Sequence, residues 1–567
     1  TRGFDELGRM TSEAASGTGV QAAARALGYD LAGRVTSIDH PTDTIGYTYD
    51  DRGLLTDATG GAGTAAFVYD ALGRVTQRTD TSGTHGFSWT ARSELDIYSD
   101  PVSGVTVDYD WTASGLPDTV TYATTGIRSY SFDDLGRLTS DDWSDATTTT
   151  VASYVYGYDD DSNVTTRTVS LPGNALNGVH GYGYDRAGRL TSWTTPDLTV
   201  TGYVWDGAGN RIGAGVDIYS YSERNRLITG PEGSYVYSPR GDLATIVGSG
   251  TAAFSWDGLS RMTTSDTGTP VTYTFDGLDR VATRNSTPFT YVGVWLDPTS
   301  DGSNIYGRSP GGRVVSHDNG TVTSLVGLDR HGDVGYLATT GTVTVTDSRV
   351  FDPFGKPAAT TGSSTITVGF QGDWTDPASG DVWMGARWYD PTSAQFRSRD
   401  TLRGELATPI SLNRYTYGWA NPLTYWDPDG RMVTPTPQLE KYGSTRGARA
   451  ASKTTTATRK RRADASTANI RELNMEDTTK ATVTPTAVSE LADKTLIATA
   501  QRMSGNLATP VRHPATVPRA QSDAPECPDR PCPYGNPPPA ARNTTPGVSL
   551  DLDVLRFAND AIGGAVG

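Results

Sequence analysis

Cysteine is almost missing. The 567 residues include two, Cys527 and Cys532, too few for a disulfide framework or a four-thiolate zinc site. No apolar run approaches the roughly 20 residues that a membrane-spanning helix requires, so no membrane segment is expected. The six histidines, His40, His85, His180, His317, His331 and His513, are isolated, with no i, i+4 pair to ligate a metal, and read as solvated loop residues. The many Asp residues lack the alternating acidic run of a calcium loop. There is no phosphate-binding glycine loop and no Gly-x-Ser-x-Gly elbow, which leaves nucleotide-dependent and serine-hydrolase chemistry without support. No metal and no cofactor is called for.

Turn-forming residues are abundant instead. With 64 Gly, 32 Pro, 28 Tyr against 12 Phe, and 36% hydrophobic residues, the composition points to turn-rich β structure and excludes a helical bundle. The net charge of −16 is unevenly spread: residues 1–430 carry −21 and residues 431–567 carry +5. Of 52 aromatic residues the tail holds Tyr442, Tyr534 and Phe557 alone, so composition changes sharply after Gly430.

A repeat runs through the acidic part: an aromatic-Asp pair, a turn, Gly, Arg and an aliphatic residue. It reads FDELGRM at Phe4, YDLAGRV at Tyr29, YDALGRV at Tyr69, FDDLGRL at Phe132, YDRAGRL at Tyr184 and FDGLDRV at Phe275. Weaker copies start at Tyr49, Trp89, Trp205, Tyr221, Tyr237 and Trp256, and the opening residues look like a unit cut at its edge. Residues before the Asp alternate polar and apolar, Asp can bond forward into the turn, and Gly three residues later can take positive φ. Each unit is therefore a β-hairpin too small to bury a face alone, and consecutive units must pair edge to edge.

On these units the chain strongly resembles the YD-repeat, or Rhs, family over residues 1 to about 430. Two further stretches carry the resemblance: Asp329-Arg-His-Gly-Asp333 leading to Phe351-Asp-Pro-Phe-Gly-Lys-Pro357, and Ala386-Arg-Trp-Tyr-Asp-Pro391 leading through Ser398-Arg-Asp400 and Asn413-Arg-Tyr-Thr-Tyr417 to Asp427-Pro-Asp-Gly430. The second resembles the family's core-associated module. The resemblance implies an all-β fold, a long spiralling antiparallel sheet of hairpins forming a hollow shell. It divides the chain into a repeat shell (1–295), a core module (296–430) and a variable C-terminal segment (431–567).

The resemblance also implies chemistry. In the family the core module contains an aspartyl autoprotease that cuts just after its Asp-Pro-x-Gly and frees the C-terminal domain. Position by position, the catalytic pair is Asp400 and Asp427, the supporting cation is Arg387, and the cut falls at Arg431-Met432 or nearby. Paired carboxylates suit this work, because mutual repulsion keeps one protonated while the other activates water. Two departures stand out: Thr401 follows Asp400 where the family has Pro, and Arg431 stands where Leu is usual. The plainer alternative is that Asp390, Asp400 and Asp427 cap turns.

The tail is rich in Thr, Ala, Pro and Ser, which predicts a largely disordered segment or a small domain. Arg459-Lys-Arg-Arg462 is either a solvated linker or a nucleic-acid contact or processing site, Cys527 and Cys532 are either a small disulfide loop or free thiols, and residues 548–565 show helical spacing. The leading expectation is a secreted or cell-surface shell that encapsulates and releases its own C-terminal toxin segment, with an immunity protein and secretion components as partners and no nucleic acid bound by the shell. The alternative is an adhesion protein whose tyrosine-rich faces bind carbohydrate without cleavage.

Overall fold

A computed structural model describes residues 1–436, apart from 18–19, 124–125 and 249. The tail features named above, from Arg459 to residue 565, lie outside the described residues. The described chain is nearly all β, in long antiparallel sheets, as the repeat predicts. Consecutive strands from Arg2–Phe4 to Asp217–Ile218 form a 21-stranded sheet, followed by nine strands from Ser220–Tyr221 to Thr287–Pro288 and eight from Thr290–Tyr291 to Pro357–Thr361. Four short strands between Trp374 and Phe396, a two-stranded ladder pairing Tyr425–Trp426 with Thr434–Pro435, and three 3₁₀ turns complete it. No helix among the described residues is long and apolar enough to cross a membrane.

The repeat's residues explain its turn. Asp70 Oδ1 accepts the backbone N–H groups of Leu72 (2.9 Å) and Arg74 (3.0 Å), while Oδ2 receives Arg74 Nε at 2.7 Å. The Asp70 N–H donates to the Arg74 carbonyl at 2.9 Å and Gly73 closes the loop at φ 84°. A Cβ at that φ would be strained, hence the glycine. Arg74 then reaches out of its own turn, and its Nη1 donates to the Thr90 carbonyl of the next unit at 3.0 Å. The same reach joins Arg34 to Asp50, Arg137 to Asp159 and Arg189 to Asp206. In the weaker copy at Tyr49 the cation arrives two residues early, yet Arg52 still holds Asp50 and donates to the Asp70 carbonyl at 2.7 Å.

The aromatic residue has a matching second duty. Each Tyr or Trp donates its ring O–H or N–H back to the aliphatic position of the preceding unit: Tyr49 to Val35 (2.7 Å), Tyr69 to Leu55 (2.7 Å), Trp89 to Val75 (2.8 Å), Trp205 to Leu190 (2.6 Å). The arginine of that preceding unit lies over the same ring, 4.6 Å from its centroid for Arg34 on Tyr49 and 4.3 Å for Arg280 on Tyr291. Phe, which holds this position at Phe4, Phe132 and Phe275, cannot donate such a bond. The aliphatic partners Val35, Leu55, Val75, Leu138 and Leu190 are buried and line one face of the sheet.

Later parts of the array run alongside earlier ones. Gln21 bridges Asp257, Arg25 donates to Gly277 O (2.8 Å), Tyr291 N to Ala62 O (2.9 Å), Arg78 to Arg308 O (2.9 Å), Arg167 to Asp329 (3.0 Å) and Arg211 to Thr392 O (2.8 Å). Both members of each pair advance along the chain together, as in a coil whose later pass follows the earlier one. The seam cations are buried strand arginines, and most carry a carboxylate, Arg25 with Glu13, Arg78 with Asp80 and Arg128 with Asp141. Here the histidine reading is corrected: His85, His180, His317 and His331 are buried, not solvated. His85 bonds Ser82 and Tyr98 beside Arg78, which reaches the later pass, and His317 bonds Asn304 and stacks 6.0 Å from Tyr306 within the later pass, so neither meets water. His40 stays partly exposed, and His513 lies outside the described residues.

The clamps differ in burial, and this sets their worth. Asp276 is fully buried and holds Arg280 Nε at 2.8 Å, so Asp276→Ala strands a buried cation, a loss of about 3–5 kcal/mol. Asp70 is partly exposed, and Asp70→Ala is expected to cost about 1–2 kcal/mol. Denaturant midpoints of the two variants check this ranking, and equal shifts would contradict it.

Candidate active site at the end of the described chain

Three short segments carry the residues singled out from the sequence. Arg387 opens the strand Arg387–Asp390, Asp400 follows the strand Gln395–Phe396, and Asp427 follows Tyr425–Trp426. The structure brings all three together. Arg387 Nη2 lies 2.9 Å from Asp427 Oδ2 and 3.2 Å from Asp400 Oδ2, so one nitrogen serves both carboxylates. Its Nε donates to the Gly430 carbonyl, its Nη1 to Arg414 O at 3.0 Å, and the guanidinium stacks 3.5 Å over the Phe396 ring. The cation is fixed on every side.

The Asp-Pro-Asp-Gly turn docks on the Met384–Arg387 turn, where Ala386 N donates to Asp429 O at 3.1 Å. Gly430 has φ 66°, and a Cβ there would run into Met384 O and Arg387 N, so only glycine brings the chain this close. Past it, Arg431 N donates to Asp429 Oδ1 at 3.0 Å, and the Met432 N–H is shared between Asp429 Oδ1 (2.8 Å) and Asp427 Oδ1 (3.0 Å). An Asp427 oxygen thus lies against the nitrogen of the Arg431-Met432 peptide. Met432 is exposed while Asp427 is completely buried.

All three aspartates do cap turns. Asp390 accepts Thr392 N at 2.9 Å and the Ser393 hydroxyl at 2.6 Å, and Asp400 accepts Leu402 N at 2.7 Å. Asp390 also pairs with Arg397 at 3.5 Å, whereas Asp400 and Asp427 share Arg387. Burial pushes the Asp427 carboxyl up to about 7, with Asp429 and Asp400 adding to the rise and Arg387 opposing it. Burial raises Asp400 as well, against Arg387 and the Leu402 N–H. Arg431 lies in acidic company: burial lowers its basicity, while Asp279, Asp429 and Asp400 pull the other way. The long segment Thr401–Leu412 folds as a loop ending in the 3₁₀ turn Pro409–Leu412.

Several neighbours escaped sequence reading. Gln371, at φ 60° in the bend Phe370–Gly372, contacts the Asp427 main chain on both sides. Asp373 shares a hydrogen bond with Asp297, and burial holds its carboxyl well above the usual range. His331, placed among the solvated loops by its sequence, is buried against Phe370 at 4.9 Å and bonds Asp333 at 2.8 Å. Its Asp329–Asp333 turn repeats the array's turn: Asp329 N donates to Asp333 O (3.0 Å) and Gly332 takes φ 95°.

Residues 49–85 and 184–217 match the family described as RHS Repeat. The chain is 25% identical over 275 residues to the tRNA nuclease WapA of Bacillus subtilis strain 168, covering 44% of this chain and 12% of that relative. It is 27% identical over 330 residues to the double-stranded DNA deaminase toxin A of Burkholderia cenocepacia strain H111, covering 48% of this chain and 22% of the relative. The chain is an Rhs, or YD-repeat, protein. Among solved structures this Rhs chain shares its fold with the TcdB2-TccC3 crystal structure, with a TM-score of 0.51 and 17% identity, over 74% of this chain and 26% of that one. A Photorhabdus luminescens Tc holotoxin pore structure gives a TM-score of 0.50 at 16% identity, over 77% and 25%. The matched stretches span less than a quarter of both curated relatives.

The raised Asp427 proton is linked to stability. The folded chain holds it more tightly than the unfolded chain, whose carboxyl titrates near 3.8, so this group's contribution to stability falls as pH rises from about 4 to about 7. Asp427→Asn is expected to flatten that part of the profile. Unfolding midpoints of both chains across that range check it, and identical slopes would mean that Asp427 titrates normally.

Proposed function

We propose that this chain is the carrier part of a polymorphic toxin: a β-shell, with residues 1–295 as repeat wall and 296–430 as core module, that encloses the segment after it and cuts itself at Arg431-Met432. The observation that carries this reading is the shared arginine, with Asp427 Oδ1 3.0 Å from the Met432 nitrogen and Asp400 on the same guanidinium nitrogen. Two named relatives, a tRNA nuclease and a DNA deaminase toxin, act on different targets. A part common to proteins of such different activities supports a carrier role, with the activity residing in what is carried.

Asp400 acts as the base and Asp427 as the acid. Water attacks the Arg431 carbonyl carbon and gives its proton to the Asp400 carboxylate, forming the new C–O bond. The C–N bond to Met432 breaks as Asp427 passes its proton to the departing nitrogen, leaving an Arg431 carboxyl and a Met432 amine. Near neutral pH both protonation forms of Asp427 are populated, as an acid of this kind requires. Arg387 holds the two carboxylates together and anchors Gly430, so the scissile bond is already oriented. Arg431, unusual at this position, finds carboxylates rather than an apolar slot. A toxic cargo calls for a neutralising immunity partner in the producing cell and for an export route to the surface or beyond.

The mass of the purified chain tests the reading. Two co-eluting fragments, residues 1–431 and 432–567, are expected, and Asp400→Asn or Asp427→Asn is expected to slow the cut by at least about 10²-fold. A single intact wild-type chain would favour the adhesion-type alternative, and fragments from either variant at the wild-type rate would remove that residue from the pair. Cleavage is expected to fall as pH rises through about 7, where Asp427 loses its proton.

A further inference from the structure

Gln371 is in an uncomfortable place for a residue with a side chain. Its φ of 60° lies in the left-handed region that glycine occupies freely, and it is almost completely buried. Every hydrogen-bonding capacity of its amide is used. Oε1 accepts the Asp427 N–H (3.2 Å) and the Tyr417 hydroxyl, and Nε2 donates to the Asp427 carbonyl and to Asp373 Oδ2, both at 2.9 Å. The amide orientation follows from the partners, because the Asp427 N–H needs an acceptor and its carbonyl a donor. The amide therefore pairs with the Asp427 main chain as a neighbouring strand would, at two points.

The bonds behind it form a closed ring. Tyr417 O–H also lies 3.3 Å from His331 Nε2, His331 Nδ1 lies 2.8 Å from Asp333 Oδ1, and that same Asp333 oxygen accepts the Gln371 backbone N–H at 2.8 Å. Gln371 is thus held through both its backbone and its side chain by one buried turn, Asp329–Asp333. The Tyr417 ring packs on Tyr389 at 4.6 Å and on Phe370 at 5.6 Å, which leaves it no freedom to swing away.

We propose that Gln371 is a positioning residue for Asp427: its two-point grip on the Asp427 backbone, braced by the Asp333–His331–Tyr417 ring, sets the carboxyl against the Met432 nitrogen. This rests on the protease reading above. Arg387 holds the Asp427 carboxylate and Gln371 holds the main chain that carries it. Two contacts fix both the translation and the rotation of that main chain, and either contact alone would leave a hinge. An ionised Glu cannot take over the role, because neither of its oxygens could donate to the Asp427 carbonyl as Nε2 now does.

The test follows cleavage of the full chain made by pulse-labelled cell-free translation, as a time course at several pH values. Gln371→Leu keeps the bulk and removes both grips, and is expected to cut at least tenfold more slowly at every pH with the alkaline fall still near 7. Gln371→Glu adds a carboxyl beside Asp373 and the Asp427 main chain, where Arg387, Asp429 and Asp400 already act on the Asp427 carboxyl, and is expected to move the alkaline fall to higher pH, a displacement that general loosening would not produce. Tyr417→Phe keeps the ring and loses the hydroxyl, and is expected to slow the cut severalfold, so the proposal stays testable should Gln371→Leu fail to fold. Wild-type rates in Gln371→Leu and Tyr417→Phe, or an unmoved alkaline fall in Gln371→Glu, overturn it while a cutting wild type and an uncut Asp427→Asn leave the protease reading intact. An uncut wild type overturns both.

Discussion

The bidentate clamp of one aspartate on its own turn and its own arginine is the constraint from which the rest of the described chain follows. A two-stranded hairpin is marginal in water. Asp70 satisfies two turn N–H groups and fixes Arg74, and Arg74, so fixed, reaches the carbonyl of the next turn. The tyrosine or tryptophan of the next unit returns a bond to the previous one, with the arginine stacked on its ring. Neighbouring hairpins are thereby locked in register at their turns as well as along their strands. An isolated exposed pair of this type contributes little, but repetition along a 21-stranded sheet turns a weak local bond into a rigid wall.

Burial changes what the same device can do. Early turns such as Asp50 with Arg52 face solvent, whereas Asp257, Asp276 and Asp329 sit where the later pass of the array covers the earlier one. In that setting Asp329 no longer clamps an arginine of its own turn. It receives Arg167 from a strand 162 residues away, while its Oδ1 still accepts the turn N–H groups of His331 and Asp333. Relieved of solvent, the turn exposes His331 and Asp333 to the interior, and there they brace Gln371. The candidate site thus uses the repeat's architecture as its foundation: a turn evolved to lock strands becomes the fixed point from which Asp427 is oriented.

The strands, the turns and the charged trio of Arg387, Asp400 and Asp427 were legible because they depend on short-range pattern or on resemblance of contiguous stretches. The repeat's reasons were only half legible. That Asp caps the turn follows from spacing, but the bond from each aromatic ring to the preceding unit, and the arginine's reach forward, join residues 10 to 22 positions apart across a register that spacing alone does not specify. A further copy at Tyr158 went unread because Asn163 replaces the arginine, yet its Nδ2 holds Asp159 Oδ2 at 2.9 Å in the same way. The buried histidines and Gln371 were illegible for a different cause. Their partners lie across the seam or in separate short segments, and an isolated His or Gln in a loop-like string carries no mark of what covers it.

Departures from the repeat are informative where they cluster. The glycine position is held by Ser93, Ser162, Asn225, Ser260 and Asp279, all with φ between 58° and 67°. Each accepts some backbone strain that glycine would avoid. Ser93 and Ser162 offset it by bonding the arginine of the preceding unit. Asp279 goes further: its carboxylate takes Arg261 at 3.0 Å and, across the seam, Arg25 at 3.2 Å. Burial would raise this carboxyl, yet Arg25, Arg261 and Arg431 together hold it below the ordinary range. The strained residue therefore joins the first strands, the last repeats and the residue before Met432 in one charge cluster. Where the array meets itself beside the candidate site, a carboxylate at the turn does what a glycine there could not.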